Sequence, residues 1–203
     1  MASKLTTPKP VTLLTAALLT ASALIAALTR RYDDLRKAYA DQRMRLALPY
    51  PGLLLPTIGV AMAEGDSVNI GRMTDSTGKQ LIFVFTTTCR FCKATVPLWR
   101  ELADSIRFLK GGQVQVVGLS LDSPEATHLF GATFDLDFPV GVLPPGKDRQ
   151  LLRAVMVPQT LVLDHEGRVM FARTGVFSSQ SAIDSVYQAL AWTPDRRPER
   201  KEP

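Results

Sequence analysis

The run Leu81-Ile82-Phe83-Val84-Phe85-Thr86-Thr87-Thr88-Cys89-Arg90-Phe91-Cys92-Lys93 decides how this chain is read. Its first five residues are an unbroken apolar stretch of β-formers, the pattern of a strand buried on both faces. Beyond it, Cys92, Val96, Trp99, Leu102, Ile106 and Leu109 recur at steps of three and four, which puts them on one stripe of a helix. The two cysteines therefore lie where a buried strand hands over to a helix. A thiol there meets unpaired main-chain N–H groups and the positive end of the helix dipole, and both favour its thiolate. Such cysteines have pKa values of roughly 3.5 to 7.5, against about 8.5 when free. Each unit of depression corresponds to about 1.4 kcal/mol of thiolate stabilisation. Arg90 and Lys93 add positive charge nearby. Three residues apart on one turn, the second sulfur can reach the first. Cys89, at the exposed end, is expected to attack a partner's disulfide, and Cys92, one turn inward, to resolve the mixed disulfide.

Downstream, a strand at residues 114–119 is followed by a helix opened by Ser123-Pro124-Glu125, with Ser123 as its cap and Pro124 in its first turn. A further strand is expected at residues 138–143. The apolar runs Leu161-Val162-Leu163 and Val169-Met170-Phe171-Ala172 flank Asp164-His165-Glu166-Gly167-Arg168, which reads as a β-hairpin. Residues 179–190 close the domain as a helix with Ile183, Val186, Tyr187 and Leu190 inward. Strand, helix, strand, hairpin and helix together predict an α/β sandwich with a central mixed sheet.

The other end of the chain has a different character. Residues 10–29 carry no charge and are filled by Leu, Ala, Thr, Val and Ile. At helical rise they span about 30 Å, the hydrocarbon thickness of a bilayer, which predicts one N-terminal transmembrane helix. A cleaved leader has a shorter apolar stretch, of about 7–15 residues, so an uncleaved anchor is expected. The domain layout follows: an anchor over residues 1–29, a polar helical stalk over 30–51, a globular domain over 52–190, and a disordered polar tail over 191–203. Counted on Lys and Arg alone, the flank after the span, with Arg30, Arg31, Arg36, Lys37, Arg43 and Arg45, would stay in the cytoplasm, although long domains can translocate against such a bias.

Composition narrows the function. With 203 residues, 46% hydrophobic and 21% charged, the chain can fill one core, which excludes wholesale disorder. Two cysteines exclude a disulfide-dense scaffold and a four-thiolate zinc site. The formal net charge of +5 resides wholly in residues 1–45, while the remainder balances sixteen charges of each sign. A nucleic-acid partner is therefore not expected.

With these residues in place, the chain resembles the thioredoxin superfamily, most closely its membrane-anchored TlpA/ResA-like thiol–disulfide oxidoreductases. The resemblance rests on the Cys-x-x-Cys placement, on Pro97 five residues after Cys92, on Val157-Pro158-Gln159-Thr160-Leu161-Val162-Leu163-Asp164 and on the hairpin that follows. The segment 122–143 matches the helix and strand that this branch inserts. The resemblance covers residues 52–190. It implies a thioredoxin-like sandwich, a cis bond before Pro158, and a Val157 main chain that pairs with an extended substrate. It further implies protein substrates with disulfides or thiols, cytochrome-maturation intermediates among them, and a membrane electron donor or acceptor that recycles the pair. No dissociable cofactor or metal is implied, and the domain is placed on the extracytoplasmic side of a bacterial cytoplasmic membrane.

The departures are specific. Thr88 stands where the branch usually has Trp, Thr95 where many members have Glu, and Phe83 where thioredoxins proper hold a buried acid. With no carboxylate at either place, exchange is expected to rely on water or on thiolate stabilisation alone. Arg90-Phe91 replaces the common Gly-Pro or Pro-Pro between the cysteines, so the direction of electron flow does not carry over.

Three rivals stand beside this reading. One is a non-enzymatic binding module that keeps the fold. Another is a Cu(I) or thiolate metal carrier, for which His128 and His165 lie far from zinc-finger spacing. The third is a peroxiredoxin-like peroxidase, which Thr86, three residues before Cys89, matches in part. Trp99 reads as core, and Arg149 and Arg153 read as a solvated charged helix face.

Overall fold

The computed structural model describes residues 10–63, 65–74, 78–107, 114–176 and 180–190. Helix α1 (Pro10–Ala47) runs 38 residues without a break, about 57 Å at helical rise. Its apolar side chains over residues 14–44, Leu14, Leu18, Leu19, Leu24, Ile25 and Leu28 among them, are exposed. It is the one helix among the described residues long and apolar enough to cross a membrane, over Leu14–Met44. The expected tail, the first residue of the closing helix (179) and Leu109 at the end of the expected helical stripe lie outside the described residues. The chain divides into two compact units, Met1–Leu46 and Ala47–Pro203.

The second unit is built on one mixed seven-stranded sheet: β1 (Ile58–Met62), β2 (Ser67–Ile70), β3 (Lys79–Phe85), β4 (Val114–Ser120), β5 (Val140–Val142), β6 (Gln159–Leu163) and β7 (Val169–Thr174). Their spatial order is β2-β1-β5-β4-β3-β6-β7. β3, β4 and β5 run parallel, whereas β6 and β7 on one side and β1 and β2 on the other pair antiparallel. Helices α2 (Arg90–Arg107), α3 (Pro124–Thr133), α4 (Lys147–Leu151) and α5 (Gln180–Ala189) complete it.

β3 lies between two strands and sends alternate residues to opposite cores. Leu81, Phe83 and Phe85 join the α2 stripe, Phe130 of α3 and the inner side of α5. Ile82 and Val84 face Ile58, Val60, Val117, Leu119, Leu161 and Leu163. Both faces are dry, which is why the strand reads as one apolar run rather than an alternation. Trp99 is fully buried, stacks on Phe83 at 5.1 Å, and donates its ring N–H to Thr160 at 3.2 Å. Burying each such side chain stabilises the fold by about 1.5–3 kcal/mol.

The cap on α3 is as expected: Ser123 Oγ accepts from the Ala126 N–H at 3.3 Å, with Pro124 opening the helix. The strand expected over residues 138–143 is shorter, at Val140–Val142, because Phe138 turns into the core against Phe83 at 5.3 Å. The hairpin forms around Asp164, whose Oδ1 accepts from the Glu166 and Arg168 amides at 3.0 and 2.9 Å, with Gly167 at φ 84°. Three elements escaped the sequence reading: β1, β2 and α4. β1 buries Ile58, Val60 and Met62 but turns only Gly59 and Ala61 outward, so its alternation carries no polar residue to mark it.

Candidate active site

Three chain segments meet at the edge where β3 and β4 end. The parallel register sets Phe85 beside Ser120, and the Leu121 amide donates to the Phe85 carbonyl at 2.9 Å. On the other side, Val84 pairs with Gln159, so the bond before Pro158 falls level with the end of β3. The loop carrying Cys89, the turn after β4 and the Val157–Pro158 segment thus share one edge.

Cys89 is half-buried and immediately precedes the first residue of α2. Its carbonyl accepts from the Lys93 amide at 3.1 Å, which makes it the residue that caps the helix. Its sulfur accepts from the Cys92 amide at 3.4 Å, the contact that a sulfur at a helix start makes with an otherwise unpartnered donor. Cys92 is fully buried in the core beneath α2, and both thiols are free.

The two sulfurs differ sharply in acidity. At Cys89 burial opposes ionisation, but contacts from Cys92, the Phe91 amide and the Arg90 guanidinium outweigh it and hold the thiol below its ordinary pKa. At Cys92 burial dominates, and the Cys89 sulfur and the Asp122 charge act in the same direction. A hydrogen bond from the Thr86 main chain opposes them, yet the pKa is pushed up to about 12. Arg90 also lies over the Phe91 ring at 4.6 Å, leaving Phe91 47% exposed beside the pair. Of the two basic neighbours expected to help, Arg90 acts on Cys89 and Lys93 does not figure among the causes of the shift.

The Val157–Pro158 peptide is cis. Pro158 is buried and its carbonyl is taken by the Gly175 amide at 2.8 Å. Val157 packs against both cores, and among the described residues its main chain makes no hydrogen bond. Val155 and Met156, just before it, are 57% and 44% exposed. The arrangement offers a free main-chain donor and acceptor beside an apolar rim.

Two readings need correction. Arg149 and Arg153 are not a solvated helix face. Arg149 Nη2 donates to the Leu143 and Leu121 carbonyls at 2.7 and 2.9 Å, stapling the ends of β4 and β5. Arg153 Nη1 donates to the Leu48 carbonyl at 3.3 Å, and its guanidinium lies over the Tyr50 ring at 4.9 Å. Their long side chains reach main-chain acceptors that no local pattern reveals. Asp122 was passed over as well: its Oδ2 accepts from both the amide and the hydroxyl of Thr87, at 2.6 and 2.7 Å. Position 95 carries no acid; the buried Thr95 hydroxyl donates to the Phe91 carbonyl at 2.8 Å. His128 is exposed, and among the described residues no cluster of three metal-ligating side chains occurs.

The fold is thioredoxin-like. No protein-family model matches the chain, and no curated protein matches it. Solved structures do. A protein of Chlorobium tepidum assigned as the thiol:disulfide interchange protein DsbE is similar over 70% of this chain and 98% of its own, at 20% identity and a TM-score of 0.58. A thiol-disulfide isomerase from Corynebacterium glutamicum is similar over 70% and 98%, at 22% identity and a TM-score of 0.55. A peroxiredoxin-like protein from Aquifex aeolicus is similar over 70% and 88%, at 14% identity and a TM-score of 0.55. The neighbours thus include both thiol–disulfide oxidoreductases and a peroxiredoxin-like chain, so the fold alone does not choose between the two chemistries.

Proposed function

We propose that this chain is a thiol–disulfide oxidoreductase that exchanges disulfides with protein substrates through Cys89 and Cys92. The observation that carries the reading is the split between the two thiols: an accessible sulfur held acidic at a helix start, and a buried one pushed up to about 12. A peroxidase needs one acidic thiol; a buried partner one turn away is what resolution of a mixed disulfide needs.

In the reducing direction, the Cys89 thiolate attacks a substrate disulfide. A Cys89–substrate disulfide forms and the first substrate sulfur leaves as a thiolate that takes up a proton. Cys92 then gives up its proton and attacks Cys89 Sγ. The Cys89–Cys92 disulfide forms and the second substrate thiolate leaves. Two electrons have passed to the substrate, and an external dithiol restores the pair. The oxidising direction is the reverse, with a disulfide donor in place of the dithiol. Val157 and Pro158 dock the substrate, the Val157 main chain pairing with an extended segment.

The anchor reading joins this one: α1 tethers the domain as a single span in a bacterial cytoplasmic membrane, with the catalytic domain extracytoplasmic and a membrane redox carrier as its recycling partner. What supports it is the uncharged stretch over residues 10–29 and the exposure of every described apolar side chain along it. The layout of anchor, stalk (30–51), domain (52–190) and tail (191–203) belongs to the same proposal. The test of the chemistry is reduction of a protein disulfide with a small dithiol as electron source. Wild type is expected to turn over and Cys89→Ser to be inactive; a wild type inert in every redox buffer overturns the reading. A reporter fused at the C-terminus tests the side of the membrane.

A further inference from the structure

We propose that Asp122 is a positioning residue of the exchange, which fixes the segment presenting Cys89 and holds a carboxylate beside the cysteine pair. The inference rests on the exchange chemistry proposed above.

Asp122 is pinned from both sides. Its amide donates to the buried Ser120 hydroxyl at 3.2 Å, and the next residue, Ser123, caps α3. The Leu121 carbonyl before it accepts from Arg149. So held, the carboxylate is aimed at Thr87, two residues before Cys89, where one oxygen receives both the amide and the hydroxyl. A carboxylate that accepts two short bonds from a neighbouring loop fixes that loop. It is also the one acidic side chain among the causes that shape Cys92, where it raises the pKa. The other charged groups around the pair are Cys89 itself, Arg90, which acts on Cys89, and the exposed Lys93 next to Cys92; the Val157–Pro158 segment brings none, and Glu125 on α3 is fully exposed.

A positioned charge also suits the chemistry. In the oxidising direction Cys92 leaves as a thiolate when the substrate thiol attacks Cys89 Sγ, and a Cys92 that stayed ionised would attack Cys89 Sγ again and expel the substrate thiolate before the substrate's second thiol had reacted.

The test is the rate of iodoacetamide alkylation of Cys92 against pH in the full chain carrying Cys89→Ser, with and without Asp122→Asn. Asn keeps an acceptor for Thr87 and removes the charge. The expected result is alkylation about two- to fivefold faster at pH 9 in the Asn variant, with Asp122→Glu restoring the slow rate. Should Asp122→Asn not fold, by circular dichroism, Asp122→Ser takes its place. An unchanged pH profile overturns the proposal. Alkylation needs no disulfide substrate, so this outcome is separate from failure of the exchange reading.

Discussion

The main-chain N–H of Cys92 donates to the sulfur of Cys89 at 3.4 Å, so the residue whose thiol is buried supplies part of the polar environment that stabilises its partner's thiolate. One helical turn therefore does two opposite things. It presents unpartnered donors to the sulfur at its start and carries the next sulfur into an apolar core. The acidity difference between the pair follows from helix geometry more than from charged side chains.

Alkylation of the reduced protein should show two separate titrations. Cys89 reacts at a pH below that of a free thiol, and Cys92 reacts only as the pH approaches about 12. Mass spectrometry after timed iodoacetamide pulses across pH resolves the two sites; equal reactivity at neutral pH would contradict the assignment of roles.

Stability of the reduced form should fall in alkali, with a definite sign. The folded-state pKa of Cys92 is raised, so the unfolded chain releases this proton first. Stability is full below the ordinary thiol pKa and declines as the pH rises from there toward about 12. Cys89, with its depressed value, works oppositely and contributes at pH above its ordinary pKa. Urea midpoints measured between pH 8 and 11 on wild type and Cys92→Ala check this: the alkaline decline is expected to flatten in the variant.

Trp99→Ala should cost about 3–5 kcal/mol, since it empties a fully buried site and removes the stack on Phe83. Thr160→Val is smaller but still unfavourable, by about 1–3 kcal/mol, because the Trp99 ring N–H is left buried without its acceptor. Chemical denaturation of both variants measures the difference.

Gly141→Ala should separate β1 from β5. An added Cβ would lie 2.7 Å from Val60 Cγ1 and 2.9 Å from the Ala61 carbonyl oxygen, and backbone atoms cannot yield as a flexible side chain does. A loss of about 1–3 kcal/mol is expected, with the β1–β2 hairpin exchanging amide hydrogens faster than the central strands.

The full chain should sediment with membranes and resist extraction by alkaline carbonate, whereas deletion of residues 10–29 should release an exchange-competent domain. Recovery of the intact chain in the soluble fraction would remove the anchor from the account.

Much of this architecture was legible locally. The apolar run of β3, the stripe of α2, the Ser123 cap and the Asp164 hairpin each depend on residues close in sequence, so their patterns survive without tertiary knowledge. β1 and α4 were not legible. β1 faces outward with Gly59 and Ala61, and α4 is only five residues long with no side-chain cap, too short to show a period. Arg149 read as a solvated charge because its acceptors, the carbonyls of Leu121 and Leu143, directly follow β4 and β5 and come within its reach only in the folded state.

Sequence alone determined where the two sulfurs lie: three residues apart, at the junction of a buried strand and a helix, behind an uncharged stretch long enough for a bilayer. Those are properties of neighbours along the chain, governed by helical rise, side-chain period and charge. Only the tertiary structure decided what surrounds the sulfurs. Strand pairing brings the turn after β4 and the Val157–Pro158 segment to the end of β3. With them come a carboxylate thirty-five residues from Thr87 and an open main chain at Val157. Burial and electrostatic fields act through space, and the distances that set them exist only once the sheet has closed.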